Sequence, residues 1–243
     1  MAAEHHHSIL YEPVNRAWDG VLEATGLDAR WGHVDVPDHV VMALFVMFLC
    51  AAIFIPMRYT FKRDRPGRFQ QMLELLIQGV KSLLEDLIGH GAGSRYLPIL
   101  GSFGVFILLS NLLGQLFFLQ PPTQNTNTTF ALSLSAFGYY HYAGVRKQGL
   151  HYFKQFLGPV PAMFPLFIPL EILSHLARAV SLGLRLFGNI FGEHTVAAAF
   201  FALAPFIVPF PVMAIGLFGS VLQAFIFVML TTVYIAGAEA SEH

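Results

Sequence analysis

Residues 171–204 read EILSHLARAVSLGLRLFGNIFGEHTVAAAFFALA, a run without proline between Pro169 and Pro205. Coiled as one helix, this stretch is about 50 Å long at about 1.5 Å per residue. The hydrocarbon core of a bilayer is only about 30 Å thick. The run is mostly apolar, yet it carries Glu171, Arg178 and Arg185, spaced by seven. Seven residues drift only about 20° around an α-helix, so the three share one face. Ser174 and His175 adjoin this stripe near its start, with Asn189 near its end, and Glu193 and His194 follow. An ionisable group at such depth costs at least a few kcal/mol and faces a cavity or a partner. Static ion pairs, Glu171 with Arg178 and Arg185 with Glu193, are one reading. Those pairs lie about 10–12 Å apart along the axis, beyond the three- and four-residue neighbours that touch on one helix. The spacing therefore predicts that Arg185 lacks a partner on its own helix. A permanently protonated guanidinium then wants an anion from elsewhere. Gly183, Gly188 and Gly192 flank Arg185, and Gly216, Gly219 and Ser220 follow on the next apolar stretch. Small residues of this kind let another helix approach closely.

The whole chain fits that setting. Its 243 residues are 55% hydrophobic and only 12% charged, with a formal net charge of −1. Mean hydropathy is +0.59. Such a composition excludes a disordered chain, a nucleic-acid binder built on a basic patch and an ordinary water-soluble enzyme. The single cysteine, Cys50, excludes an intrachain disulfide and a four-cysteine zinc site. His5, His6 and His7 read as an exposed tract rather than a metal site.

Charge falls in blocks. Residues 4–38 hold seven of the fifteen acids. Val40 to Pro56 then runs seventeen residues with neither a charge nor a strongly polar side chain, close to a membrane span. Its acidic leader and its distance from the N-terminus do not fit a cleaved signal peptide. Arg58, Lys62, Arg63, Arg65 and Arg68 follow at once, which places the N-terminus outside and this loop in the cytoplasm. Segment 69–90 is apolar at helical spacing, interrupted by Glu74, Lys81, Glu85 and Asp86. That pattern predicts an amphipathic helix on the membrane surface or against other helices. Leu97 to Leu119 is a second span, and residues 121–129 form a polar outer loop without lysine or arginine. Phe130 to Val145 returns to Arg146 and Lys147, and Val212 to Ala238 is the last span before a polar tail at 239–243. Ten of the fourteen basic residues then fall in the two cytoplasmic loops or at their edges. The expectation is an all-α polytopic membrane protein. It has about five transmembrane helices and one amphipathic interfacial helix, the last two spans being long and strongly tilted. Its segments divide as 1–38, 39–57, 58–95, 96–145, 160–238 and 239–243.

Ser181-Leu-Gly-Leu-Arg185-Leu-Phe-Gly-Asn189, the following Glu193, and Leu222-Gln223-Ala224-Phe225-Ile226-Phe227 resemble the signature segments of subunit a of F-type ATP synthases. The likeness extends to the Pro-Pro-Thr loop at 121–123, the order of spans and the short acidic tail, and covers nearly the whole chain. It implies a stator against which a ring of c subunits turns, with two aqueous half-channels meeting the ring carboxylate. Arg185 matches the family's essential arginine between the half-channels. The resemblance puts Glu193, Asn189 and Gln223 in the outer path, and Glu171, Ser174, His175 and Arg178 near the inner one, with Ser181 in the motif itself. It also implies peripheral-stalk b subunits as partners, a bacterial inner membrane as the location, and neither a cofactor nor a nucleic acid.

Two departures stand out. Family members often carry a histidine seven residues before the glutamine of the second motif, where this chain has Gly216. His194 is either a relay in its place or a structural residue at the lipid interface. Asn125 stands where many relatives carry aspartate. Other classes fit less well. No internal repeat pairs the two halves as in many secondary transporters. The sequence has no Gly-x-Ser-x-Gly or His-Glu-x-x-His segment. No glycine precedes any lysine, so a phosphate-binding loop is absent and nucleotide chemistry belongs to other subunits.

Overall fold

Local sequence sets each helix in the computed structural model, which describes residues 8, 10–25, 35–61, 67–116, 119–149, 151–152, 164–203 and 209–240. These residues form seven α-helices, with no strand among them. They are α1 (Tyr11–Thr25), α2 (Asp38–Thr60), α3 (Arg68–Ile88), α4 (Ala92–Gly114), α5 (Thr126–Gln148), α6 (Phe164–Leu203) and α7 (Pro209–Glu239). A short 3-10 turn, Pro122–Gln124, precedes α5.

α2, α4, α6 and α7 are each long and apolar enough to cross a membrane. α5 is the expected fifth span. It has 23 residues, about 34 Å of helix, but its threonines, serines, tyrosines and His141 leave it more polar than those four. The polarity is accommodated because α5 is covered by protein. It packs on α6 and α7, and Thr129, Ser133 and Tyr140 are buried there.

Several boundaries differ from the sequence expectation. α4 starts at Ala92 and ends at Gly114, five residues earlier at each end than the apolar run, because Gly91 in the left-handed region (φ 84°) starts the new helix there. α6 begins at Phe164 rather than Glu171 and takes in Pro165 and Pro169, so it has 40 residues and spans about 60 Å. Pro165 stands in the first turn, where its missing N–H has no acceptor anyway, while Pro169 lies inside the helix in its second turn. Pro209 and Pro211 likewise open α7 instead of standing before it. α1 is a helix that sequence reading left as part of a plain N-terminal segment. The histidine tract at 5–7 lies outside the described residues.

The core has two layers. Tyr96, Leu100, Tyr140, Tyr152, Val228 and Ile235 form one, closed at the side by Leu84 of α3. Ile107 of α4, Ala136 of α5, Leu182 and Leu186 of α6, and Ala224 and Phe227 of α7 form the other. Phe48, Ile215 and Phe218 are instead among many large apolar side chains left exposed. A buried polar framework accompanies the apolar one. Thr231 and Thr232 turn their hydroxyls back to the carbonyls of Phe227 and Val228 at 2.8 and 2.7 Å. Glu239, expected in a polar tail, is the last residue of α7 and is buried. It accepts from Tyr96 Oη and from Lys147 Nζ at 2.8 Å, with Arg95 at 4.0 Å. Gln148 caps the same helix end by donating to the carbonyls of Ala238 and Ala240, each at 3.0 Å.

Candidate functional site

Helical spacing on α6 decides what each polar residue can reach. Leu182, Leu186 and Ile190 recur every four residues and are buried against the bundle. Arg185, Gly188 and Asn189 lie on exposed positions of the same helix. Arg185 has neither an ion pair nor a hydrogen bond with any described residue, as the seven-residue spacing predicts. A Cβ built on Gly188 would have nothing within 4 Å, so the surface beside Arg185 is open. Gly192 is likewise open. The glycines therefore do not share one setting. Gly183 packs against Ser133 of α5 instead, while Gly216 and Gly219 of α7 receive side chains from α6.

Toward the N-terminal end of α6, a cluster of rings gathers around Glu171. Glu171 Oε1 lies 3.2 Å from His175 Nε2, one turn along the helix. His175 is buried, and its Nδ1 lies 2.8 Å from Tyr140 Oη on α5, with the two rings stacked. His141 stands next to it, 5.0 Å from His175 between centroids, and its Nδ1 lies 2.6 Å from Tyr152 Oη. Gly144 makes room for Tyr152, whose burial pushes its phenol above the usual range. Arg178 does not join Glu171. Its guanidinium sits 5.7 Å above the Tyr234 ring of α7, a cation–π contact. Ser174 and Ser181 occupy exposed positions of α6.

Toward the other end, Glu193 turns into the bundle. It accepts from Gln115 Nε2 at the end of α4, and the same nitrogen lies 3.4 Å from Ser220 Oγ on α7. The Glu193 carboxylate occupies the space over Gly216, where any Cβ would overlap it. A side chain at position 216 would have to displace that carboxylate. Asn189 lies near Gly219, at a distance where a Cβ would make ordinary van der Waals contact with its amide. A cleft of about 270 Å³ opens beside Glu193, lined also by His194, Gln115, Gln120 and Gln124. Gln223, which the resemblance puts in the outer path, is buried in the bundle at 4% exposure, and its amide nitrogen has no hydrogen-bond partner among the described residues.

Sequence reading missed Gln115, Tyr140, His141, Tyr152 and Tyr234. Gln115 had a signal, being an amide inside a charge-free run. The others become visible only when α5, α6 and α7 come together. Asn125 proves to be the N-cap of α5, accepting from Asn127 N at 2.9 Å. An asparagine oxygen serves that purpose as an aspartate would.

A helical bundle with large apolar side chains on its outside and four helices long and apolar enough to cross a membrane is that of a multi-pass membrane protein. Comparison with known proteins gives the family. Residues 40–236 match the family described as ATP synthase A chain. An ATP synthase subunit a of Sulfurihydrogenibium sp. is 44% identical over 204 residues, covering 82% of this chain and 96% of that protein. One from Nitratidesulfovibrio vulgaris is 47% identical over 178 residues, 73% of this chain and 76% of the relative. Another, from Geobacter sulfurreducens, is 41% identical over 178 residues, 73% of this chain and 77% of the relative. The chain belongs to the ATP synthase subunit a family, the membrane-sector subunits of that complex.

Proposed function

We propose that this chain is the proton-translocating stator of its ATP synthase, and that Arg185 separates two aqueous half-channels. The observation that carries the reading is the isolation of Arg185 on an open face, between two polar clusters on the same helix. Glu171 is fourteen residues away, about 21 Å, and Glu193 is eight residues away, about 12 Å in the other direction. The outer path runs through the cleft at Gln115, His194, Glu193 and Asn189, with Gln223 deeper in the bundle. The inner path runs past Ser181, Arg178, Ser174, His175 and Glu171. The partner of Arg185 is a carboxylate on a ring of c subunits passing the open face, and b subunits of the peripheral stalk hold the chain still.

The physics suits this role. A fixed positive charge lowers the pKa of an approaching carboxylate and makes it release its proton. At 4 Å and an effective dielectric of about 20 the attraction is about 4 kcal/mol. The transmembrane drive is about 2.3 kcal/mol per proton per 100 mV. Lysine could lose its proton when desolvated and let protons hop past, whereas arginine stays charged. In this reading the N-terminus is outside a bacterial inner membrane, the C-terminus is cytoplasmic and α3 lies along the cytoplasmic surface. Nucleotide binding belongs to other subunits.

Sided thiol labelling tests the two paths. In a Cys50→Ser background within the assembled complex, Asn189→Cys should react with a membrane-impermeant thiosulfonate added outside. Ser174→Cys should react with reagent added from the cytoplasmic side. Labelling of both from one side, or of neither, contradicts the proposal.

A further inference from the structure

The helix that precedes the first span is built for a surface. In α1 the polar residues Glu12, Arg16 and Asp19 fall on one side, with Glu12 and Arg16 paired at 3.3 Å and highly exposed. Tyr11, Val14 and Trp18 fall on another, at the three- and four-residue steps of an amphipathic stripe. Trp18 is 40% exposed, and the indole is a large apolar body with one polar N–H.

The attachment of α1 fixes its level. Ser8, just before the helix, donates its backbone N–H to Asp38 Oδ2 at 3.1 Å and its hydroxyl to Asp38 Oδ1. Asn15, buried in the middle, accepts from Val36 N at 2.8 Å and donates to Val36 O at 3.3 Å. Asp38 is the first residue of α2, which is apolar from Val40 onward. Two separate tethers therefore hold α1 beside the point where a membrane span begins. They lie along the Asn15 edge, between the polar side and the apolar stripe. At that level an amphipathic helix meets the boundary between headgroups and acyl chains, where tryptophan is enriched.

We propose that α1 is a monotopic helix seated in the phospholipid interface, with Val14 and Trp18 immersed at headgroup depth and Glu12 and Arg16 in water. The inference is independent of the half-channel reading, because it needs only that α2 spans the membrane. It makes α1 a lipid-bound collar at the mouth of the first span.

The assembled complex, carrying Cys50→Ser and Trp18→Cys labelled with a nitrobenzoxadiazole dye, tests this in phosphatidylcholine–phosphatidylglycerol vesicles. Spin labels near the headgroup should quench the dye more than labels deep in the acyl chains. Val14→Cys should behave alike, and Glu12→Cys should be quenched by aqueous iodide instead. Iodide quenching at 14 and 18 without lipid quenching would overturn the proposal. Protection from both quenchers would overturn it too, by showing that another protein surface covers the stripe.

Discussion

Glu193 and Gly216 illustrate how one residue explains another. The carboxylate fills the volume above the glycine and is held there by Gln115. Gln115→Leu removes that donor and leaves a half-buried acid less satisfied, a loss of about 1–3 kcal/mol by the usual cost of an orphaned buried group. ATP-driven proton pumping in inverted vesicles should fall several-fold while the subunit stays in the membrane. Gly216→Ala should have a comparable effect by displacing the carboxylate, and wild-type pumping in both variants would remove this contact from the path. Glu193→Gln should slow proton uptake without abolishing it, because water in the adjacent cleft can still deliver protons. Unchanged passive conduction through membranes stripped of the peripheral sector would take Glu193 off the path.

Elements differ in how legible they are in the sequence. α2, α3, α6 and α7 could be read directly, since apolar runs and amphipathic spacing are local signals. The unpaired state of Arg185 followed from its seven- and eight-residue distances to the nearest acids. Helix starts were read less well. Proline looks like a breaker in sequence, but in α6 and α7 it stands in the opening turns. α1 was missed because what anchors it joins Ser8 to Asp38 and Asn15 to Val36, thirty and twenty-one residues apart. The ring cluster around His175 was hidden for the same reason, since α5 supplies Tyr140 and His141, α6 supplies His175, and Tyr152 follows α5. At this scale the N-cap of α5 offers a test. Asn125→Ala should destabilise the helix start by about 1 kcal/mol, read as a lower unfolding midpoint of the purified complex. Asn125→Asp should retain wild-type stability.

Among the described residues of the whole molecule, many large apolar side chains lie on the outside, while hydroxyls and amides such as those of Ser110, Asn111, Thr231 and Gln223 are buried within the bundle. Glu239 shows the consequence for assembly, since one buried carboxylate ties the end of α7 to α4 and α5 through Tyr96 and Lys147. Glu239 is buried while Lys147 is half-exposed, so removing the lysine leaves a buried carboxylate short of a donor, a loss of about 1–3 kcal/mol. Lys147→Met should therefore lower the thermal stability of the complex. Added to Glu239→Ala, Lys147→Met should cost less than it does alone, and strictly additive effects would show that the pair is uncoupled. The same inside-out arrangement leaves Arg185 as a cation on an open face, waiting for an anion that the described residues of its own chain do not supply. The direct test is ATP synthesis by energised membrane vesicles carrying Arg185→Ala, with immunoblotting to confirm that the subunit is present. Synthesis should be abolished, and severely reduced in Arg185→Lys; synthesis at the normal rate with Arg185→Ala would contradict the account.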